Sequence, residues 1–483
     1  MKKILCLLIS LTMLFCIAAP AYAAAQPEAE AYDGYPFVVV RGIDFGGLYL
    51  EDKSPAISIG IGDIFALVKA LFTDIIVEGD KDKFIDSALT VVADVLDPIA
   101  MDKEGNPVHD VYFDKYESSM AYYPEELAFM EDIGETGIIK TASELIGAEN
   151  VYYFTYDWRK SAKEIATDLD KYINKVLADS HRDKVNISAV SMGGMVATAY
   201  LNWHGAEKVN NLVYVSSAHN GTHGPGDAFN GNIYINGDTI YSRLRQSSKG
   251  SLFKCLFVEI AEKIGIFDAA SAVANKILED NPKALNNEVI RNGFGTLLGF
   301  WAMCPDDVFE GGVKFMFGGH EDEYPVLMDK IDETKEFIFS TEDIIDSAIK
   351  SGVNVSFISN YNSPLSPYFP HSDRQGDGVI ETELTSNFAT VALYGETLTD
   401  EQLAAAEEKY VSPDKIVDAT TANYRDITWF VKDAAHVAAE YRSDFAYFVL
   451  WLALAEEQLT VESDSRYPQF MLVDENKNLL IAE

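Results

Sequence analysis

Ser191 stands in Ala189-Val190-Ser191-Met192-Gly193-Gly194, a small-residue turn between an apolar run and a helix-forming stretch. A serine on such a turn can act as a nucleophile. The sharp bend lifts Oγ clear of the backbone, and the free N–H groups of the following helix favour developing negative charge. The usual pattern has Gly two residues before the serine, and Ala189 keeps that position small. The plain alternative is a Gly-rich turn without chemistry, and the strand and helix on either side weigh against it.

A serine hydroxyl needs an imidazole to take its proton and a carboxylate to orient that imidazole. When the serine sits on a strand-to-helix turn, the chain order is serine, acid, histidine. Of the eight histidines, His109 and His181 precede Ser191, and His204 lies too far along the following helix. His219 and His223 fall in a Gly-rich loop that can line a pocket, and His320 falls in a helical stretch. His371 and His436 remain. His436 follows the strand-like residues 427–431 and precedes the last long helix, where a proton-accepting histidine belongs.

The acid comes from His371-Ser372-Asp373-Arg374-Gln375-Gly376-Asp377-Gly378-Val379-Ile380-Glu381. Asp377 is preferred over Asp373 and Glu381, because glycines on both sides permit a tight turn that presents its carboxylate. Asp373 can pair with the adjacent Arg374. The loop holds enough oxygen ligands for calcium, but its spacing fits no EF-hand. No CxxC or His/Cys cluster suggests zinc. Two backbone N–H groups must receive an oxyanion, and Met192 and Ile43 are the candidates.

The elements that must position these residues can be read from hydrophobic period. Residues 37–40, 151–155, 184–190, 212–215 and 353–359 are apolar or β-branched runs that read as strands. Ile165, Leu169, Tyr172, Ile173 and Val176 recur at helical steps, and residues 192–203 form a helix rich in small residues. Strands alternating with helices argue for an α/β protein with a parallel sheet. A last helix is expected over 444–456, and a hairpin over 470–473 and 479–482. Around Ser191 the arrangement resembles the α/β-hydrolase fold: a mostly parallel central sheet flanked by helices, with an inserted helical cap. The expected division is a signal peptide over 1–23, a first core part over 24–217, a helical cap over 218–350 and a second core part over 351–483. A helical insertion, with Ile64-Phe65-Leu67-Val68-Leu71-Phe72 as its pattern, is expected within about 57–124.

Lys2 and Lys3, the apolar run to Ala19 and the Ala21-Tyr22-Ala23 site predict a cleaved export signal, so a secreted protein is expected. An uncleaved anchor is the alternative, and the apolar run is short for it. The 483 residues, 48% of them hydrophobic, suffice for one large core. A formal charge of −38 disfavours nucleic acid and anionic membranes as partners. Outside the leader only Cys255 and Cys304 occur, enough for one bridge or two thiols but not for a disulfide framework.

Pro36 to Gly42, Tyr156-Asp157-Trp158-Arg159, Ala189 to Gly194, Gly376-Asp377-Gly378 and His436 appear in one order. Together they resemble the lecithin:cholesterol acyltransferase family, which includes bacterial lipase-like members. The segment ending Trp301-Ala302-Met303-Cys304-Pro305 resembles part of that family's cap. The resemblance implies Ser191 as nucleophile, Asp377 as acid, His436 as base, a cap shaping an acyl-chain pocket, and no cofactor. Arg41 and Ala189 depart from the family pattern. Asp157, Trp158 and Arg159 are read as a structural ion pair and a packed indole at a strand end, with direct substrate contact as the alternative. The function expected is cleavage of acyl esters through an acyl-enzyme. Acyl transfer through the same residues, or a non-catalytic binding protein on the same scaffold, are the alternatives.

Overall fold

Runs of β-branched and aromatic residues build the sheet. In the computed structural model these are β1 (Phe37–Val40), β2 (Val151–Phe154), β3 (Val185–Val190), β4 (Val209–Val215) and β5 (Asn354–Tyr361). Further along come β6 (Thr390–Val391), β7 (Val417–Asp418), β8 (Thr428–Lys432), β9 (Phe470–Val473) and β10 (Leu479–Ile481). The structure describes residues 32–483 apart from 45–46, 58–68, 71–72, 75–76, 134–136, 235–236, 238–240, 242–244, 246–257, 261, 264, 281–284, 367–369, 439–443, 477 and 483. The leader, the apolar pattern from Ile64 to Phe72 and Cys255 lie outside the described residues.

The sheet order is β10-β9-β8-β5-β4-β3-β1-β2, and β6 and β7 form a separate antiparallel ribbon. Every neighbouring pair in the large sheet is parallel except β9 with β10. The protein is thus α/β with a mostly parallel sheet. Parallel strands need crossovers, and helices supply them. Successive side chains on a strand face opposite layers. Val38 and Val40 of β1 join a cluster with Ile187, Ala189, Leu169 and Val196.

Helix Ala162–Ser180 buries Ile165, Leu169, Ile173 and Val176 at three- and four-residue steps, and its first turn is closed by a reciprocal cap between Ser161 and Glu164. It packs on helix Met192–His204, which also carries helix Thr341–Lys350. Gly137–Ile146 and Asp444–Ala453 pack on each other, against β1–β2 and β3–β4 respectively.

The described residues from His223 to Lys350 are largely helical, with Ile266–Asp280, Asp306–Phe317 and Pro325–Ile338 among the longer helices. Within the 57–124 stretch, helix Lys81–Leu96 is capped by Asp80 and packs on Glu288–Gly293. Residues 100–119 there are irregular, tied by the bridges Met101–Pro107 and Tyr49–Tyr112.

The chain runs from β1 to β2 on one side, then returns to place β3 on the other side of β1 and continues outward. In open parallel sheets, ligands bind beyond the carboxyl ends of the strands at such a reversal. Here it lies between β1 and β3, whose carboxyl ends carry Gly42 and Ser191.

Candidate active site

Ser191 has φ 55° and ψ −126°, a conformation β3 imposes by turning directly into helix Met192–His204. Such backbone strain costs about 1–3 kcal/mol and persists only where the surroundings hold it. Here Ser191 N–H donates to Val215 O at 3.1 Å, and Ala218 N–H donates to Ser191 O at 2.9 Å. Gly193 is required by crowding: a Cβ there would collide with the carbonyl oxygens of Val40 and Arg41. Ala189 is fully buried in β3, paired with Val40 and Tyr214, so its methyl is accommodated.

Ser191 Oγ lies 2.8 Å from His436 Nε2, and His436 Nδ1 lies 2.7 Å from Asp377 Oδ2. In the neutral ring, Nδ1–H donates to Asp377 and Nε2 is left to accept the Ser191 hydroxyl proton. The Asp377 side chain is fully buried, whereas the His436 side chain keeps 11% of its surface. The second carboxylate oxygen accepts the N–H groups of Val379 at 2.9 Å and Ile380 at 2.8 Å. His436 N–H donates to Asp377 O at 2.9 Å, so main chain as well as side chains lock the two loops together. Gly378 has φ 100°, which lets the chain fold back under the carboxylate.

The other sequence candidates lie elsewhere. Asp373 is exposed, and Arg374 turns to Glu383 at 3.7 Å and to His223 instead. Glu381 accepts the Thr222 hydroxyl at 3.0 Å and the His223 N–H at 3.2 Å. His219 is buried behind β4 between Ser217 and Asn387, away from the cavity, and burial lowers its pKa to about 4. His371 is bound to Asp227, a pairing that no spacing in the sequence signalled. Cys304 is a buried free thiol whose pKa burial raises.

Ile43 and Ser191 line one cavity of about 340 Å³, at the low end of ligand-site volumes, about 300–1,000 Å³. Its walls are mostly apolar, with Phe294, Phe300, Met303, Leu365 and Ile380 contributing. Met192 opens its helix, so its N–H has no intrahelical acceptor. Ile43 follows Gly42, which presses on Ser191 so closely that a Cβ would lie 2.7 Å from the serine Cβ.

The tetrapeptide after β2 braces this loop. Tyr156 O–H donates to Arg41 O at 3.0 Å, and Trp158 Nε1–H donates to Asp44 O at 3.2 Å. Arg41 pairs with Asp44. The buried Arg159 donates from Nε and Nη2 to the two oxygens of Asp157, at 2.9 and 2.8 Å. Gly299 N–H reaches Arg159 O, and a Cβ at Gly299 would strike Trp158 O, so the helical segment closes on the motif from above. The packed indole and ion pair therefore do structural work, at the loop that carries Ile43.

Among the described residues no helix is long and apolar enough to cross a membrane. No family model and no curated protein matches the chain. Among solved structures it is similar to a chain of the Tle4–Tli4 complex at 14% identity, over 74% of this chain and 89% of that chain, with a TM-score of 0.27. It is also similar to an esterase (EaEST) from Exiguobacterium antarcticum at 17% identity, over 41% of this chain and 88% of that chain, with a TM-score of 0.14. Likeness at these scores is slight and carries neither fold nor function. The resemblance to the lecithin:cholesterol acyltransferase family rests on its motifs alone.

Proposed function

We propose that the protein is a serine hydrolase of the α/β-hydrolase fold that cleaves carboxylic esters of acyl lipids. The observation that carries this reading is the line Ser191–His436–Asp377, at 2.8 and 2.7 Å, opening onto an apolar cavity. Ser191 Oγ attacks the ester carbonyl as His436 Nε2 takes its proton, and Asp377 stabilises the imidazolium. The tetrahedral oxyanion is received by the N–H groups of Met192 and Ile43. Its collapse expels the alcohol, which takes the proton from His436 and leaves an acyl group on Ser191. Water then attacks that acyl-enzyme, giving its proton to His436, and release of the acid restores the serine.

The helical stretch over 218–350 acts as a cap, and it supplies Phe294, Phe300 and Met303 to the cavity wall. The leader over 1–23 directs export. Neither a cofactor nor nucleic acid enters this scheme.

The test is labelling of the protein with a fluorophosphonate probe beside Ser191→Ala, followed by a chain-length series of p-nitrophenyl esters. Labelling of the wild type, lost in the variant, is expected, with turnover best for short and medium acyl groups that fit the cavity. A folded wild type that neither labels nor turns over any ester would sink the reading.

A further inference from the structure

The cavity that holds Ser191 has a second polar feature that the proposed reaction leaves unused. Asp227, His371 and Glu381 line it together with its apolar walls. His371 Nδ1 lies 2.6 Å from Asp227 Oδ2, so a second histidine–aspartate pair faces the cavity onto which Ser191 opens. The Asp227 side chain is fully buried, and its Oδ1 has no hydrogen-bond partner among the described residues. The Asp227 carboxylate thus acts on the cavity through His371, whose side chain keeps 27% of its surface. With Nδ1–H committed to Asp227, His371 Nε2 is the ring nitrogen left for a ligand.

The neighbours narrow the ligand class. Asp227 and Glu381 in the wall repel a phosphate or carboxylate. The His223 ring packs at a tilt against that of His371, with centroids 4.4 Å apart. Burial opposes a charge on His223, but hydrogen bonds to Asp307 and Glu381 prevail and raise its pKa to about 9. That neighbouring cation, backed by Arg374, disfavours an alkylammonium. A metal is not favoured either, since among the described residues no group of three His, Cys, Asp or Glu side chains is arranged to hold one. A neutral group that both donates and accepts remains.

We propose that the Asp227–His371 pair is a hydroxyl-binding subsite, so that the preferred esters carry a free hydroxyl on the portion lodged in the cavity. This rests on the ester-hydrolase reading above. The hydroxyl donates to His371 Nε2, which Asp227 orients through Nδ1, while the rest of the group lies on apolar wall. A site built to bind a hydroxyl discriminates strongly against the analogue that lacks it, because its polar groups are then left unpaired.

The test compares kcat/KM within two matched pairs. One is p-nitrophenyl hexanoate against its ω-hydroxy analogue, which places the hydroxyl on the acyl side. The other is propyl hexanoate against glyceryl monohexanoate, which places it on the alcohol side. The wild type is expected to prefer the hydroxylated member of one pair by about tenfold, one good hydrogen bond's worth. Which pair shows the preference tells which side enters the subsite. In His371→Phe the ratio is expected to fall to about one, whatever happens to the plain ester. Asp227→Asn keeps the shape and is expected to reduce the ratio, so it decides the matter if the first variant does not fold. Equal rates within both wild-type pairs, or a preference that survives both substitutions, would overturn the subsite while fluorophosphonate labelling still supported the hydrolase. A wild type that does not label at all would remove the reading beneath it.

Discussion

Replacing Gly42 with alanine isolates how closely the loop after β1 is fitted to Ser191, the proposed nucleophile. The new Cβ would stand 2.7 Å from Ser191 Cβ, 3.1 Å from its Oγ and 3.4 Å from Val190 O. Carbons in contact rest about 3.5–4.0 Å apart, so the loop and the serine must separate by roughly 1 Å. A misplacement of about 1 Å at reacting atoms costs on the order of a hundredfold in rate. That corresponds to about 2.7 kcal/mol of barrier. Overpacking costs about 1–3 kcal/mol of stability, which a core of this size tolerates. The expected result is therefore a folded Gly42→Ala protein whose kcat on a p-nitrophenyl ester drops about a hundredfold. Fluorophosphonate labelling should slow in parallel, because the same oxygen attacks. Urea unfolding supplies the stability half of the comparison. Turnover and labelling indistinguishable from wild type would refute the claim that this loop seats the serine and carries an oxyanion donor.

Asp377→Asn keeps size and shape but replaces the acceptor facing His436 Nδ1, so the ring loses the orientation that leaves Nε2 free for Ser191. A fall in kcat of about 10³–10⁴-fold is expected, and a loss of less than tenfold would remove Asp377 from its role. The two buried histidines set the pH range of stability. His223 titrates near 9 when folded, above the 6.5 of a free imidazole, so its contribution is complete below 6.5 and is lost as pH rises through 9. His219 titrates near 4, below that reference, so its contribution is complete above 6.5 and is lost as pH falls through 4. Each amounts to about 3 kcal/mol at most. Urea midpoints should therefore peak near pH 6.5, and His223→Gln should flatten the alkaline side. An alkaline side unchanged by that substitution would refute the His223 assignment.

Much of the sheet was legible because its strands are short runs rich in β-branched and aromatic residues, buried on both faces. The expected strand over 184–190 matches β3 to within a residue, and Ile165, Leu169, Ile173 and Val176 all lie buried on the one helix Ala162–Ser180. The tail hairpin appears as β9 and β10. The misses have chemical causes. The expected strand over 212–215 stops short of Asn210 and Asn211, residues disfavoured in strands. Asn211 is instead buried inside the strand, where its amide caps the carbonyls of Ala453 and Ala455. Similarly β5 runs on through Asn360 and Tyr361, since the Asn360 amide donates to Ser216 Oγ and Ala435 O. Polar residues satisfied by distant partners carry no local period. Ser191, Asp377 and His436, which the structure brings within hydrogen-bonding distance, could be picked out because turn chemistry and chain order are local signals. The Asp227–His371 pair joins residues 144 apart and needed the tertiary structure.

The order in which strands enter the sheet has a consequence for how this chain is made. The strands β2-β1-β3-β4 are all synthesised before the helical stretch begins, and β4 is then an edge. Its permanent neighbour β5 begins only at Asn354, and β8, which delivers His436, later still. Roughly 140 residues must emerge in between, on the order of ten seconds at typical synthesis rates. Throughout that interval a Val-rich strand edge waits with its hydrogen-bonding groups unpaired, a template for wrong pairing. Ser191 therefore gains its His436 neighbour only after the span to β8 has been made, 245 residues after the serine itself.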